Sequence, residues 1–276
     1  MVDQQDAAPQ YDWQRTDVRR FEFGDVLGRA FSLLGRHFLP FFITALVIIG
    51  LPALLAVAGL LVGMGSGGGV VSATAMVGFV ISVVAALVGA ILLPAAVIYA
   101  ALRGWSGNPV SMRESVGVML RRFFSLLGLG ILAGIGIFIG LILFIVPGFI
   151  LICGWYVAVA AMVMERKGVT ASLSRSWELT KGYKGQIFGL VLVVFVISLL
   201  ISAVFSVPAL MMGEGAVALG EQPADVGVGV VVAQILSVLG DIVSNLVGAL
   251  VAASAYFELR RVREGVTLDS IADIFS

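Results

Sequence analysis

Residues 123–164 read FFSLLGLGILAGIGIFIGLILFIVPGFILICGWYVAVAAMVM, without one charged side chain. The hydrocarbon core of a bilayer is about 30 Å thick and is crossed by roughly 20 apolar residues at about 1.5 Å rise each. The stretch therefore holds enough chain for two crossings. Val146-Pro147-Gly148, near its middle, supplies a helix stop and a tight turn. We read 123–146 and 149–164 as a helical hairpin. A single helix kinked at Pro147 is the competing reading, but about 42 residues in one helix would overshoot any bilayer.

Working outward, four further apolar stretches, 38–63, 76–102, 187–212 and 227–257, bring the expected spans to six. The charges test this count independently. All 17 Lys and Arg residues fall in 1–37, 103–122, 165–186 or the segment after the last span. The alternate connections, 64–75, 147–148 and 213–226, carry none, and the last holds Glu214, Glu221 and Asp225 instead. Positive residues stay on the cytoplasmic side, so six helices with both termini inside fit, whereas five or seven do not.

Composition agrees. Of 276 residues, 60% are hydrophobic and 12% charged, against about 45–50% and 25% in soluble domains. The formal net charge is zero and gives no reason to expect a nucleic-acid partner. One cysteine, Cys153, cannot form an intrachain disulfide, and one histidine, His37, excludes a two-histidine zinc motif. The polar first 37 residues carry six acids, unlike a secretory signal or a transit peptide. The first apolar run is thus expected to act as a retained signal anchor. Residues 1–20, without an apolar period, read as a disordered cytoplasmic tail, and 21–276 as one membrane domain.

The chain reads as a unit repeated three times: a basic amphipathic segment, a span out, a short neutral loop and a span back. The returning spans lead into Gly107-Asn108-Pro109-Val110-Ser111, Lys167-Gly168-Val169-Thr170 and Glu264-Gly265-Val266-Thr267. In each, a glycine turn precedes Ser or Thr at an N-cap position, and Ser111-Met112-Arg113-Glu114 is a capping box. Amphipathic segments are expected at 24–37, 111–122, 170–183 and 267–275. In the third, Leu173 and Trp177 share one face while Arg175, Glu178 and Lys181 share the other. Such helices lie in the headgroup layer and act either as elbows positioning the spans or as a surface for anionic lipid or a partner. Arg121, Arg122, Arg175, Trp177 and Lys181 are the candidate interfacial residues.

Three places carry a family resemblance. The first is Phe23-Gly24-Asp25-Val26-Leu27 with Phe31 and Leu34. The second runs from Val146-Pro147-Gly148-Phe149 through Trp155 to Ser174-Arg175-Ser176-Trp177-Glu178-Leu179-Thr180-Lys181-Gly182. The third is Tyr256-Phe257-Glu258-Leu259-Arg260 with Arg263-Glu264-Gly265. From Phe21 onward the chain resembles the glycerophosphoryl diester phosphodiesterase membrane-domain family of bacterial multipass proteins. The resemblance implies a multipass protein of the bacterial inner membrane. The family name comes from members with a soluble phosphodiesterase barrel; about 20 residues follow the last span here, against about 250 in a barrel, so the enzymatic name is not expected to carry over.

Asp241 is the one carboxylate well inside a span. At 100° per residue, Gln234, Ser237, Asp241, Ser244, Asn245 and Gly248 fall within an arc of about 100°. A charge at that depth is costly, so the stripe is expected to face the bundle interior, with Asp241 protonated. It serves there either as hydrogen-bonding glue between helices or as a proton- or substrate-binding site. Ser198, Ser202 and Ser206 repeat along the fifth span and could meet it. Gly130, Gly134, Gly136 and Gly140 in the third span form two Gly-x-x-x-Gly pairs for close helix contact. The glycine-rich 63–69 lacks the ending of a phosphate loop. No nucleophile–base pair, carboxylate cluster or Gly-x-Ser-x-Gly elbow occurs, so neither a catalytic site nor a cofactor or metal is expected.

The fold expected is all-α: six transmembrane helices as three hairpins, with cytoplasmic amphipathic elbow helices. The function expected is non-enzymatic, organising membrane lipid or a membrane partner complex, with a second copy of the chain as another partner. The alternative is a small transporter using the stripe around Asp241.

Overall fold

A computed structural model describes residues 21–55, 58, 73–105, 111–209 and 228–265. The expected tail 1–20, the glycine-rich 63–69, the turn residues 107–110, the loop 213–226 and the amphipathic segment 267–275 lie outside the described residues. The described residues are helical and include no strand. Six of the helical segments are long and apolar enough to cross a membrane: Phe38–Leu55, Met76–Trp105, Phe123–Leu143, Ile145–Glu165, Lys184–Pro208 and Val231–Glu264. The protein is an all-α membrane bundle.

A short helix precedes each outgoing span: α1 (Phe23–Arg36), α4 (Met112–Leu120) and α8 (Val169–Thr180). The first span contains α2 (Phe38–Ala45) and the π-helical turn Leu46–Gly50. The returning second span is α3 (Ala73–Trp105). The second hairpin pairs α5 (Phe123–Leu143) with α6 (Ile145–Trp155) and α7 (Ala158–Glu165). The third pairs α9 (Lys184–Ala209) with the long α10 (Val228–Glu264).

The central hairpin turns earlier than its proline suggested. Phe144, not Pro147-Gly148, carries the extended backbone, with φ −161° and ψ 143°. Pro147 falls in the first turn of α6, where a missing N–H has no helical partner to lose. Gly148 instead serves packing, since a Cβ there would stand 2.9 Å from the Leu141 backbone nitrogen. Gly140 and Gly136 complete the contact: a Cβ would lie 3.1 Å from the Gly148 Cα and 2.6 Å from the Trp155 ring, respectively. The other pair, Gly130 and Gly134, meets nothing within 4 Å. One of the two glycine pairs therefore closes the hairpin.

Starting at Ile145 gives the fourth span 21 residues, interrupted by a turn at Tyr156 and Val157. The capping expectations hold in part. The Ser111 hydroxyl accepts from the Glu114 N–H at 3.4 Å, but the Glu114 carboxylate pairs with Arg103. Gly168 rather than Thr170 caps α8, after Arg166 has turned the chain with a left-handed φ of 52°. Arg260, Arg261 and Arg263 lie in the last turns of α10, which runs on past the expected span end at 257.

α10 is the axis of the molecule. Ile242, Leu246, Leu250, Val251, Tyr256 and Leu259 are buried, and the helix packs against α9, α3 and α1. Large apolar side chains such as Phe138, Ile142, Phe195 and Leu199 stand exposed on the outer helices, as expected where the surroundings are hydrocarbon.

Candidate functional site

Two polar regions stand out, a groove within the spans and a charged end. The groove has a volume of about 390 Å³ and lies between α3, the α6–α7 turn, α9 and α10. Its apolar walls include Pro94, Ile98, Val159 and Val194. Tyr156, Ser198, Ser244 and Asn245 also line the groove. The Tyr156 and Ser244 hydroxyl oxygens are buried and have no hydrogen-bond partner among the described residues. Each such group costs about 1–3 kcal/mol, and both oxygens lie behind the groove surface, out of contact with its space.

The structure divides the predicted stripe. Ser244, Asn245 and Gly248 line the groove, and of the serine row on α9 only Ser198 meets them. Gln234 and Ser237 are half-buried outside the lining. Asp241 is exposed rather than turned into the core, and it does not line the groove. The Asn245 amide donates to the Asp241 backbone carbonyl at 2.8 Å, not to its carboxylate. Asp241 nevertheless continues the groove line, because seven residues on a helix bring it within about 20° of Gly248. Tyr156 was missed by sequence reasoning; the signal is a phenol inside an apolar span, where its hydroxyl needs a partner.

At the other region, Glu165 ends α7 and accepts from Arg175 Nε at 2.9 Å, from Tyr256 Oη at 3.0 Å and from Lys167 Nζ at 2.7 Å. Arg175 also pairs with Glu264, which takes Arg260 Nε at 2.8 Å. Burial works against the Arg175 charge, but the bonds to Glu165 and Glu264 outweigh it and raise its pKa above the usual arginine value. Alongside, the fully buried Glu258 pairs with Arg29 of α1 and with Arg261 at 2.6 Å, and Arg29 stands 4.9 Å over the Phe257 ring. The end of α10 thus clamps two of the short helices.

Part of the expected interfacial set makes contacts within the protein. Arg175 serves the ion-pair network. Trp177 covers Gly154, where a Cβ would come within 2.3 Å of its ring, and carries the Lys184 ammonium 3.2 Å from its centroid. Arg121 and Lys181 remain exposed and Arg122 is half-exposed. The Gly154 carbonyl, at the interruption between α6 and α7, accepts from Ser176 Oγ at 2.8 Å and Thr180 Oγ1 at 3.2 Å. α8 is stitched to the fourth span. Sequence reasoning missed Glu165 and Glu258; for Glu258 the available signal was an arginine three residues on at a span end, whereas the arginine that meets Glu165 is ten residues away and no local spacing announces it. Among the described residues, no group of three or more His, Cys, Asp or Glu side chains could hold a metal ion.

A family model described as a domain of unknown function, DUF7847, matches residues 130–259. The match includes the α6, α7, α9 and α10 walls of the groove and omits Pro94 and Ile98 on α3. No curated protein matches the chain, and no solved structure does.

Proposed function

We propose that this chain is a non-enzymatic protein of the bacterial inner membrane that organises lipid, with its basic end and both termini on the cytoplasmic side. One observation carries the lipid reading: an open groove with mainly hydrocarbon walls lies among the spans. Small-molecule sites commonly occupy about 300–1,000 Å³, and this groove is of that size. The resemblance at Phe23–Leu27, around Ser174–Gly182 and at Tyr256–Arg260 supports the bacterial assignment, and the segregation of bases supports the orientation. Native mass spectrometry of the detergent-extracted protein tests this function. Retained lipid, or a retained membrane partner, is the expected result; a bare monomer that gains no stability from added membrane lipid would overturn it.

A transport reading draws on Asp241, a carboxyl group exposed within a span and aligned with the groove. Proteoliposomes loaded with a pH-sensitive dye decide between the two. Proton flux abolished by Asp241→Asn would favour transport, and a sealed vesicle would favour lipid organisation.

A further inference from the structure

We infer that Lys181, Lys184 and Arg263, gathered where α8 turns into α9, bind the phosphate of an anionic phospholipid whose acyl chain lies along the outer face of α9. This rests on the lipid reading, and it adds a lipid class and a second place for lipid, outside the groove.

Charge is the first argument. Arg29, Arg103, Arg175, Arg260 and Arg261 each pair with a carboxylate. Among the described residues, Lys181, Lys184 and Arg263 pair with none. Glu178, about one turn before Lys181, stands 3.9 Å from Arg175 instead. Two of the three bases are held by rings: the Lys184 ammonium lies 3.2 Å from the Trp177 centroid and the Arg263 guanidinium 5.7 Å from that of Tyr183. A ring face takes one side of a cation and leaves its other N–H donors free. Gly182, in the turn between the lysines, admits Arg263: the guanidinium Nη2 stands 3.8 Å from where a Cβ would lie. The Ile187 N–H bonds the Tyr183 carbonyl at 2.9 Å, so the N–H groups of Lys184, Gly185 and Gln186 precede the helical ladder. The positive end of the α9 dipole lies at the same turn.

Position is the second. Lys184 opens the fifth span, and Trp177 and Tyr183 are residue types that settle at the headgroup level. On α9, Phe188, Leu192, Phe195 and Leu199 are exposed. At about 100° per residue all four fall within about 80° of Lys184, so a cation heads an apolar stripe. From Lys184 to Phe195 the stripe runs roughly 16 Å, and the hydrocarbon of one leaflet is about 15 Å deep. A free anion would leave the stripe bare. A zwitterionic lipid would bring its own cation beside three bases. An anionic phospholipid matches both the charge and the stripe.

The full-length protein is delipidated in detergent. It is then titrated separately with dioleoylphosphatidylglycerol, dioleoylphosphatidylcholine and glycerol 3-phosphate, read by native mass spectrometry and by the shift in melting temperature. The phosphatidylglycerol is expected to bind at least about fivefold tighter than the phosphatidylcholine, and glycerol 3-phosphate in excess should not displace it. Lys181→Gln, Lys184→Gln and Arg263→Gln should each weaken it about fivefold, since a base near an anionic lipid surface contributes about 1 kcal/mol. Lys184→Arg should keep the binding, and Leu192→Asn should weaken it through the acyl chain. Arg113→Gln, which removes an exposed base from α4, should leave it unchanged. None of the three bases holds a carboxylate, so the lipid-free Lys181→Gln and Arg263→Gln variants should melt with the parent, which separates lost binding from lost folding. Phosphatidylcholine bound as tightly, or base variants that bind like Arg113→Gln, would overturn the inference while leaving the lipid reading standing. Displacement by glycerol 3-phosphate would make this a site for free anions and overturn it as well. Failure to bind either lipid would remove both.

Discussion

Gly154 shows how one missing side chain fixes the position of a helix. The Trp177 ring occupies the space of a Cβ at Gly154, while Ser176 and Thr180 bond its carbonyl. Gly154→Ala would gain about 1 kcal/mol in helix propensity. Forcing a methyl group into a ring contact of 2.3 Å costs more, because overpacking runs at about 1–3 kcal/mol. The variant should therefore melt lower in detergent, and Trp177→Leu in the same chain should recover part of the loss. Asp241 gives a prediction of opposite sign. It is exposed in the span, and among the described residues its carboxyl makes no hydrogen bond that would join two helices. Asp241→Leu should accordingly leave the melting temperature unchanged or raise it, and a marked fall would show that a partner holds it. The sequence disclosed that Asp241 was unusual, because a lone carboxylate in an apolar run is visible by composition. It did not disclose which way the carboxylate points, because the arc it shares with Ser244 and Gly248 is wide enough to touch both groove and lipid.

At the scale of elements, apolar length and basic flanks made the spans legible, and their ends less so. Pro147 is a strong local signal, yet a proline can equally start a helix as stop one. Phe144, whose residue type says nothing about turns, bears the extended conformation because Gly136, Gly140 and Gly148 let α5 and α6 meet only in that register. Gly148→Ala should open the hairpin, since the added carbon meets a backbone nitrogen at 2.9 Å that no rotamer change can move. Its cost should exceed that of Gly130→Ala, which meets nothing within 4 Å. Paired melting curves check the order, and equal values would mean the glycine contact is not what closes the turn. The capping errors have a similar origin. Thr170 has the chemistry of a cap, but the left-handed turn at Arg166 places Gly168 at the helix start.

The whole molecule is organised by where its charges sit. The same bases that predict an inside face also join the short helices to the spans, a role no count of charges reveals. Glu258 is the sharpest case, a fully buried carboxylate compensated by Arg29 and Arg261. Removing it takes a partner from Arg29 and Arg261, which are partly exposed and keep Asp25 at 3.9 and 3.6 Å, so the cost falls below that of a fully buried pair. Glu258→Ala should destabilise the bundle by about 1–3 kcal/mol, read as a lower melting temperature and as faster proteolysis of the released α1. The orientation we propose rests on the same segregation. Lys181 is exposed at the end of α8, on the basic side, whereas 64–75 carries no base at all. Moving the basic end across the membrane would carry with it all of the chain's 17 Lys and Arg residues, against the bias that sets topology. In a Cys153→Ala background, an impermeant maleimide applied to intact cells should label Gly67→Cys and spare Lys181→Cys until the membrane is permeabilised. Labelling of position 181 alone would invert the orientation while keeping the spans, and labelling of both positions from outside would break the six-span topology itself.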